Sequence, residues 1–504
     1  MYSIPVVTLS SEVSVAKVVK GALHLYIGTL VVNIVGYLYW IIVSKFVSPS
    51  DIGVASLITN ISAITMGVIA LGIPTGIRRF LGKAYMEKNM EEFRKFASMG
   101  LTILLLTSGL AALIFIAFRE FLAGLANIEP VFVIMLSILI ILTTCNALFN
   151  SLFVSTVRTK VVMLLSIFNS VNRLIIGTFL VYIGYRAFGI VLGILIPVSI
   201  TFLLYLALSI HSGYLDGIFF EIEAVKEILK AGSANWIPAV IYLFGVNFGV
   251  IIVYGMRGAF EGGLYYIAFA VALVIFAIHA SLSSLLFPIL SGMKDHRKKM
   301  TWRVTRLALA IVAPISVVAA LYGDVALSMF RPEYVQAHKA LAVLVMGAAP
   351  AAIASMISVL IYAYGMYRRV LKIGLSTNVP RLLMYFILTP AMGIVGAALS
   401  FLIGVFTGLA VAVLFAYRIG FKISWRDVAI LIPTPFLLAV PMYMFNIPWF
   451  IGTPLIVALS LFVYARLKAL LLEDVKEIAK AILPRKVVEF GLEKFGWLID
   501  FVFR

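Results

Sequence analysis

The chain has 504 residues, of which 63% are hydrophobic and only 12% are charged. Soluble domains carry roughly twice that charged fraction, which excludes a water-soluble enzyme or regulator of this length. The formal net charge is +18, but the basic residues form no aromatic-interleaved patch, so no nucleic-acid partner is expected.

Apolar runs of about 20 residues recur from end to end, each long enough to cross a bilayer core. They predict an all-α, polytopic membrane protein of about 14 spans: 21–44, 52–77, 97–118, 131–156, 161–184, 189–211, 234–256, 263–290, 305–323, 340–363, 373–390, 393–416, 428–446 and 450–466. A short amphipathic lead-in, Ser14 to Lys20, precedes the first span. The second is expected to end at Arg78 and Arg79. Prolines 433, 435, 441, 448 and 454 interrupt the last two. The expected organisation is a six-helix lobe over 1–211, a second over 212–427, two further spans over 428–466 and a cytoplasmic amphipathic tail over 467–504.

The loops set the orientation. Most of the 40 basic residues fall on one side of this threading, in Arg78 to Lys95, in Lys294 to Arg306 and in smaller loops around Arg158, Arg368 and Arg418. Basic loops stay cytoplasmic, so both termini are expected there.

The two halves share a weak repeat. Ile41, Val43, Asp51 and Gly53 align with Ile251, Val253, Glu261 and Gly263, and Phe188-Gly189-Ile190-Val191 aligns with Met392-Gly393-Ile394-Val395. Six spans separate the copies, so they share an orientation. That is a parallel repeat about an axis along the membrane normal, with a substrate path between two six-helix lobes.

The 22 acidic residues all fall in loops or tails of this threading. Cation-coupled transporters keep a carboxylate inside the membrane, and none is visible here. Two arginines do fall mid-span: Arg173 in the fifth and Arg381 in the eleventh, equivalent positions of the repeat. A mid-bilayer arginine costs about 2.5–3.5 kcal/mol on insertion scales, so it faces a cavity or a partner. The planar guanidinium fork suits phosphate; the alternative is that each arginine bonds helix carbonyls or snorkels to an interface. Polar stripes accompany both. Ser166, Asn169, Arg173 and Gly177 share a face of the fifth span, and Gly374, Asn378, Arg381 and Tyr385 share one of the eleventh. In the first span, Tyr26, Asn33, Tyr37, Trp40 and Ser44 recur at helical spacing. Amides and aromatic rings in a wet cavity suit a sugar; the alternative is hydrogen bonding between helices. Asn146, His24 and His279 read as such helix–helix contacts. Arg78 and Arg79 are either topogenic anchors or a phosphate-capturing mouth. Cys145 is the only cysteine. No metal-ligand spacing and no phosphate-cradling glycine loop is visible, so no metal or other cofactor is expected and the chain is not itself an ATPase.

The stretch Lys45 to Val54, with Pro49 and Gly53, resembles the Leu-Gly-Pro-x-x-Phe-Gly turn of the polysaccharide-type flippases in the multidrug/oligosaccharidyl-lipid/polysaccharide exporter superfamily. Val47, Ser48 and Ile52 depart from its commonest residues. The glycine-rich segment Gly67 to Phe80 and the segment Phe188 to Gly193 are similar to that family's second span and to the start of its sixth. The resemblance implies a two-lobed, fourteen-helix transporter that translocates polyprenyl- or dolichyl-phosphate-linked oligosaccharides by alternating access. A cationic cavity would hold the head group, a role for Arg173 and Arg381, and polysaccharide or glycoprotein assembly enzymes would be its partners. A cation-coupled multidrug exporter of the same superfamily is the alternative. A polytopic glycosyltransferase is a weaker one, because Asp324 and Glu333 are the sparse acids of the longest outer loop.

Overall fold

The computed structural model describes residues 15–217 and 219–473. The expected tail beyond 473, and Ser14 of the lead-in, lie outside the described residues. Helices α1 (Val15–Ser44), α2 (Pro49–Ile69), α3 (Ile73–Met86), α4 (Met90–Ala117), α5 (Arg119–Ala126), α6 (Pro130–Ser155), α7 (Thr159–Tyr182) and α8 (Arg186–His211) fill the first part of the chain. Then come α9 (Ile222–Gly292), α10 (Arg297–Leu321) and α11 (Gly323–Ser328), followed by a 3-10 turn (Pro332–Ala337). The rest holds α12 (His338–Met346), α13 (Ala348–Ala363), α14 (Tyr367–Arg418), α15 (Trp425–Leu431), α16 (Pro433–Met444) and α17 (Trp449–Arg466). There is no strand among the described residues.

Among the described residues, twelve helical stretches are long and apolar enough to cross a membrane, and the protein is a multi-pass membrane protein. Two of the twelve, Trp236–Gly292 and Tyr367–Arg418, run to 57 and 52 residues. Each contains one glycine with non-helical backbone: Gly258 (φ 89°, ψ 176°) and Gly393 (φ 58°, ψ −137°). Side chains are all but barred from those regions, so glycine sets the bend. The sequence reading places its span boundaries at the same two points and counts each bent helix twice.

Local chemistry explains the helix starts. At α2 the Ser48 backbone N–H and hydroxyl both donate to Asp51 Oδ2, at 3.0 and 2.6 Å, and the Asp51 N–H donates to Ser48 Oγ at 3.3 Å. This is a reciprocal capping box with Pro49 in the first turn, where its missing N–H costs nothing. Asn89 caps α4 by accepting from the Glu92 N–H at 3.1 Å. Inside the spans, hydroxyls such as Ser137, Thr144 and Ser460 donate to carbonyls one turn back, so they demand no partner from an apolar neighbourhood.

One expected span is corrected. The second does not run to residue 77: α2 stops at Ile69, and Leu71 (φ 49°) and Gly72 (φ 73°) turn the chain into α3. Arg78 and Arg79 therefore sit on a separate amphipathic helix. Ile73, Gly76, Ile77, Leu81 and Ala84 form its buried face, and Arg78 and Arg79 are exposed.

The chain packs as two compact units. Unit one takes residues up to Phe46 and Ile61–Ala239; unit two takes Val47–Asn60 and residues from Val240 on. The core of unit one joins Ile77 and Leu81 of α3, Phe93 and Phe96 of α4, Leu148, Phe149 and Phe153 of α6 and Tyr205 of α8. That of unit two joins Leu309 of α10, Met356 and Leu360 of α13, Phe415 of α14, Phe421 of the turn after it and Tyr464 of α17. Outward rows such as Leu106, Leu110 and Leu113 on α4 are exposed. Such a row is a liability in water and suits a lipid surface.

The repeat has a geometric counterpart within unit two. A Cβ on Gly53 would lie 2.0 Å from the Ala259 carbonyl oxygen, and a Cβ on Gly263 would lie 1.9 Å from that of Pro49. The two aligned glycines thus face each other reciprocally, backbone against backbone.

Candidate functional site

In unit one, Arg173 of α7 is half-buried. Its guanidinium lies 4.4 Å from the Tyr39 ring centre and 5.1 Å from that of Trp40, both on α1. The two rings meet edge-on, 5.0 Å apart. Gly177, one turn beyond Arg173, admits the Tyr39 ring: a Cβ there would lie 2.7 Å from the ring edge. Arg173 Nε is buried without a hydrogen-bond partner, and among the described residues no carboxylate pairs with this arginine. Aromatic faces orient a guanidinium and attract its charge without using up its in-plane donors. What remains is a cation held in place inside an apolar helix bundle, its fork unclaimed by any oxygen of the described residues.

In unit two, Arg381 of α14 is only 5% exposed. Its Nη1 donates to the Gly245 carbonyl of α9 at 3.0 Å and to Asn378 Oδ1 at 3.2 Å. The guanidinium lies 4.0 Å from the Phe401 ring centre, on the far side of the α14 bend. Asn378 Nδ2 donates to the Gly374 carbonyl at 2.9 Å. Gly245 makes this approach feasible, because a Cβ there would strike Asn378 Oδ1 at 1.7 Å. Arg381 is thus partly satisfied by protein, with only its Nε buried and unpartnered.

The two sites mirror each other in large and small residues. In unit one Tyr39 of the earlier helix fills the space above Gly177 of the later one. In unit two Tyr385 of the later helix fills the space above Gly249 of the earlier one, where a Cβ would lie 2.6 Å from the Tyr385 hydroxyl oxygen. Ring and gap have exchanged helices.

The structure brings Arg173 together with Trp40, and Arg381 with Asn378. Gly177 joins the first cluster, and Gly374 and Tyr385 join the second. Trp40 and Ser44 of the α1 stripe are buried and Tyr37 is half-buried, whereas Tyr26 and Asn33 are exposed. Asn169 is half-buried and makes no hydrogen bond among the described residues. Arg78 Nε donates to Ser151 Oγ of α6 at 3.0 Å, which fits an anchoring role, and Arg79 is exposed. Tyr39, Phe401 and Gly245 went unread in the sequence; Gly177 had been read only as part of a polar stripe. Of the helix–helix contacts, His24 lies 3.4 Å from Thr159 Oγ1, and Asn146 Nδ2 donates to the Val198 carbonyl at 3.3 Å. His279 instead packs edge-on to Phe276, with Nδ1 unpartnered. Glu333 pairs with Arg331 at 2.9 Å, whose Nη1 also donates to the Val47 carbonyl at 2.9 Å. No group of three or more metal-ligating side chains occurs among the described residues.

Comparison with known structures fits this architecture. A lipid II flippase, MurJ, in an inward closed conformation is similar over 90% of this chain and 99% of its own, with a TM-score of 0.67 and 17% identity. An inward-facing multidrug resistance MATE family transporter of the MOP superfamily aligns over 79% of this chain and 97% of its own, at a TM-score of 0.66 and 14% identity. A MOP superfamily transporter from Pyrococcus furiosus, described by the reverse polarity of its binding pocket, aligns over 79% of this chain and 95% of its own, at a TM-score of 0.56 and 13% identity. These likenesses show a shared fold. No curated protein matches the chain. The family model described as polysaccharide biosynthesis protein matches residues 18–294, more than half of the chain and including α1, α7 and the Arg173 cluster. The chain therefore belongs to the polysaccharide biosynthesis protein family.

Proposed function

We propose that this protein is a flippase that moves lipid-linked oligosaccharide or polysaccharide precursors across the cell membrane by alternating access. It transports and does not transform its substrate. The observation that carries the reading is Arg173: a half-buried guanidinium stacked on Tyr39 and Trp40, with no carboxylate paired to it among the described residues. A polyprenyl- or dolichyl-linked phosphate or pyrophosphate supplies the missing anion, and the aromatic rings beside it suit the apolar faces of a sugar. Membership of the polysaccharide biosynthesis family supports the substrate class, and the fold shared with a lipid II flippase supports the transport mode. Sugar-transferring assembly enzymes of the same membrane are the natural partners.

The discriminating experiment sets two substrates side by side in proteoliposomes. A labelled lipid-linked oligosaccharide is expected to flip, and a cationic drug is not, since Arg173 repels it. Drug efflux without lipid-sugar flipping would move the protein to the multidrug exporters.

The reading includes fourteen crossings, each bent helix counted twice, lobes over 1–211 and 212–427, and both termini in the cytoplasm. On a Cys145→Ser background, single cysteines placed between Arg78 and Lys95, or between Lys294 and Arg303, should resist an impermeant thiol reagent applied to intact cells. They should react once the cells are opened. Strong labelling of either loop from outside would reverse the orientation.

A further inference from the structure

A second basic site lies in unit two, remote in sequence from Arg173 and independent of the flippase reading. The start of α10, the turn at Gly420–Lys422, the start of α15 and the chain just after α17 line an open hollow of about 790 Å³. Lys298, Lys299, Arg303, Arg306 and Lys422 line it, against two carboxylates, Asp427 and Glu473. From this convergence we infer that the cavity binds a phosphate-bearing anion.

The positive-inside rule accounts for basic residues near helix ends, but it asks for no convergence on one hollow. Lys298 and Lys299 occupy the first turn of α10, the positive end of its dipole, where two cations are unfavourable. An anion in the hollow reverses that effect. Asp427 is already engaged, accepting from Trp302 Nε1 at 3.0 Å and lying 3.9 Å from Arg306. Among the described residues no carboxylate pairs with Lys298, Lys299 or Lys422. Phe421 is buried and lies 6.3 Å from Trp302, giving the hollow an apolar wall, and a wall of low dielectric strengthens charge pairing beside it.

The volume falls in the range of small-molecule pockets and exceeds what bare phosphate fills. The ligand is therefore a phosphate carried on a larger body: the headgroup of an anionic lipid, or a soluble phosphate ester. α10 is a spanning helix, so its end is within reach of both.

The test uses the full chain in phosphatidylcholine nanodiscs. Thermal unfolding is followed while either phosphatidylglycerol, as part of the disc, or glycerol 3-phosphate and inorganic pyrophosphate, in solution, are titrated. We expect saturable stabilisation by at least one probe. Its dissociation constant should rise with salt, and about tenfold or more in Lys299→Ala/Arg303→Ala/Lys422→Ala, as expected for lost charged hydrogen bonds. If that variant fails to fold, Lys422→Glu alone, in a turn outside the helices, should show the same loss. Response to the lipid alone identifies a headgroup site, and response to the soluble probes a site for a phosphate ester. No saturable response to any probe, or a response the variants leave unchanged, overturns the inference.

Discussion

Arg173→Ala should lose transport of lipid-linked sugar, by roughly 100-fold, while folding and inserting normally. The magnitude follows from a bidentate guanidinium–phosphate contact, in which each charged hydrogen bond contributes about 1.5–3 kcal/mol. The sparing of the fold follows from what Arg173 does not do. It holds no carbonyl and pairs with no carboxylate among the described residues, so its removal forfeits only the stacking on Tyr39 and Trp40, about 0.5–2 kcal/mol. Relief of a charge held within the membrane offsets part of that loss. Arg173→Lys should recover only part of the activity, because ammonium keeps the charge and loses the fork. Arg381→Ala should behave differently. It removes the side-chain donor from the Gly245 carbonyl and from the buried Asn378 Oδ1 and leaves a hollow beside Phe401, so stability should fall by about 3 kcal/mol or more. Flipping assays paired with thermal unfolding separate the two patterns; a strongly destabilised Arg173→Ala would refute the assignment.

The second large effect is expected at the glycine pair of unit two. Gly53→Ala and Gly263→Ala each drive a methyl into a carbonyl oxygen, at 2.0 and 1.9 Å. Backbone cannot rotate away as a side chain can, so each should cost about 3 kcal/mol, the upper end for overpacking, or force the approach open. Because both report on one approach, the double variant should lose clearly less than the sum of the singles. Denaturation of the four proteins measures that coupling. Additive losses, or a Gly53→Ala protein as stable as its parent, would show that the close approach does not matter to the fold.

Much of the fold was legible because the signals were large: an apolar run of spanning length and a charge inside one are hard to mistake. The interruptions at Gly258 and Gly393 were legible only as boundaries between separate spans, 234–256 and 263–290, and 373–390 and 393–416. The end of α2 was not, because Ala70 and Leu71 are as apolar as the helix before them, so hydropathy does not register the turn. The signal that could have found it was Gly72 followed by Pro74, a left-handed turn leading into a helix start. Both arginines stood out for the same reason, yet their partners did not. Tyr39 in an apolar span reads as ordinary core, and the Gly245 carbonyl becomes an acceptor only because two helices approach there. Polarity also misled on α1. Trp40 joins the arginine, while Asn33 of the same stripe lies exposed, since periodicity groups residues by face and does not say which neighbour that face meets.

A lipid-linked sugar phosphate is proposed to cross the membrane through this protein by way of Arg173. The most direct measurement is the initial rate of flipping of a labelled lipid-linked oligosaccharide in proteoliposomes holding equal folded amounts of the unmodified protein or Arg173→Ala. The expected rate is well above that of protein-free liposomes for the first and roughly a hundredth of it for the second. Equal rates for the two proteins, or no flipping above the protein-free level by the unmodified one, would rule out this path.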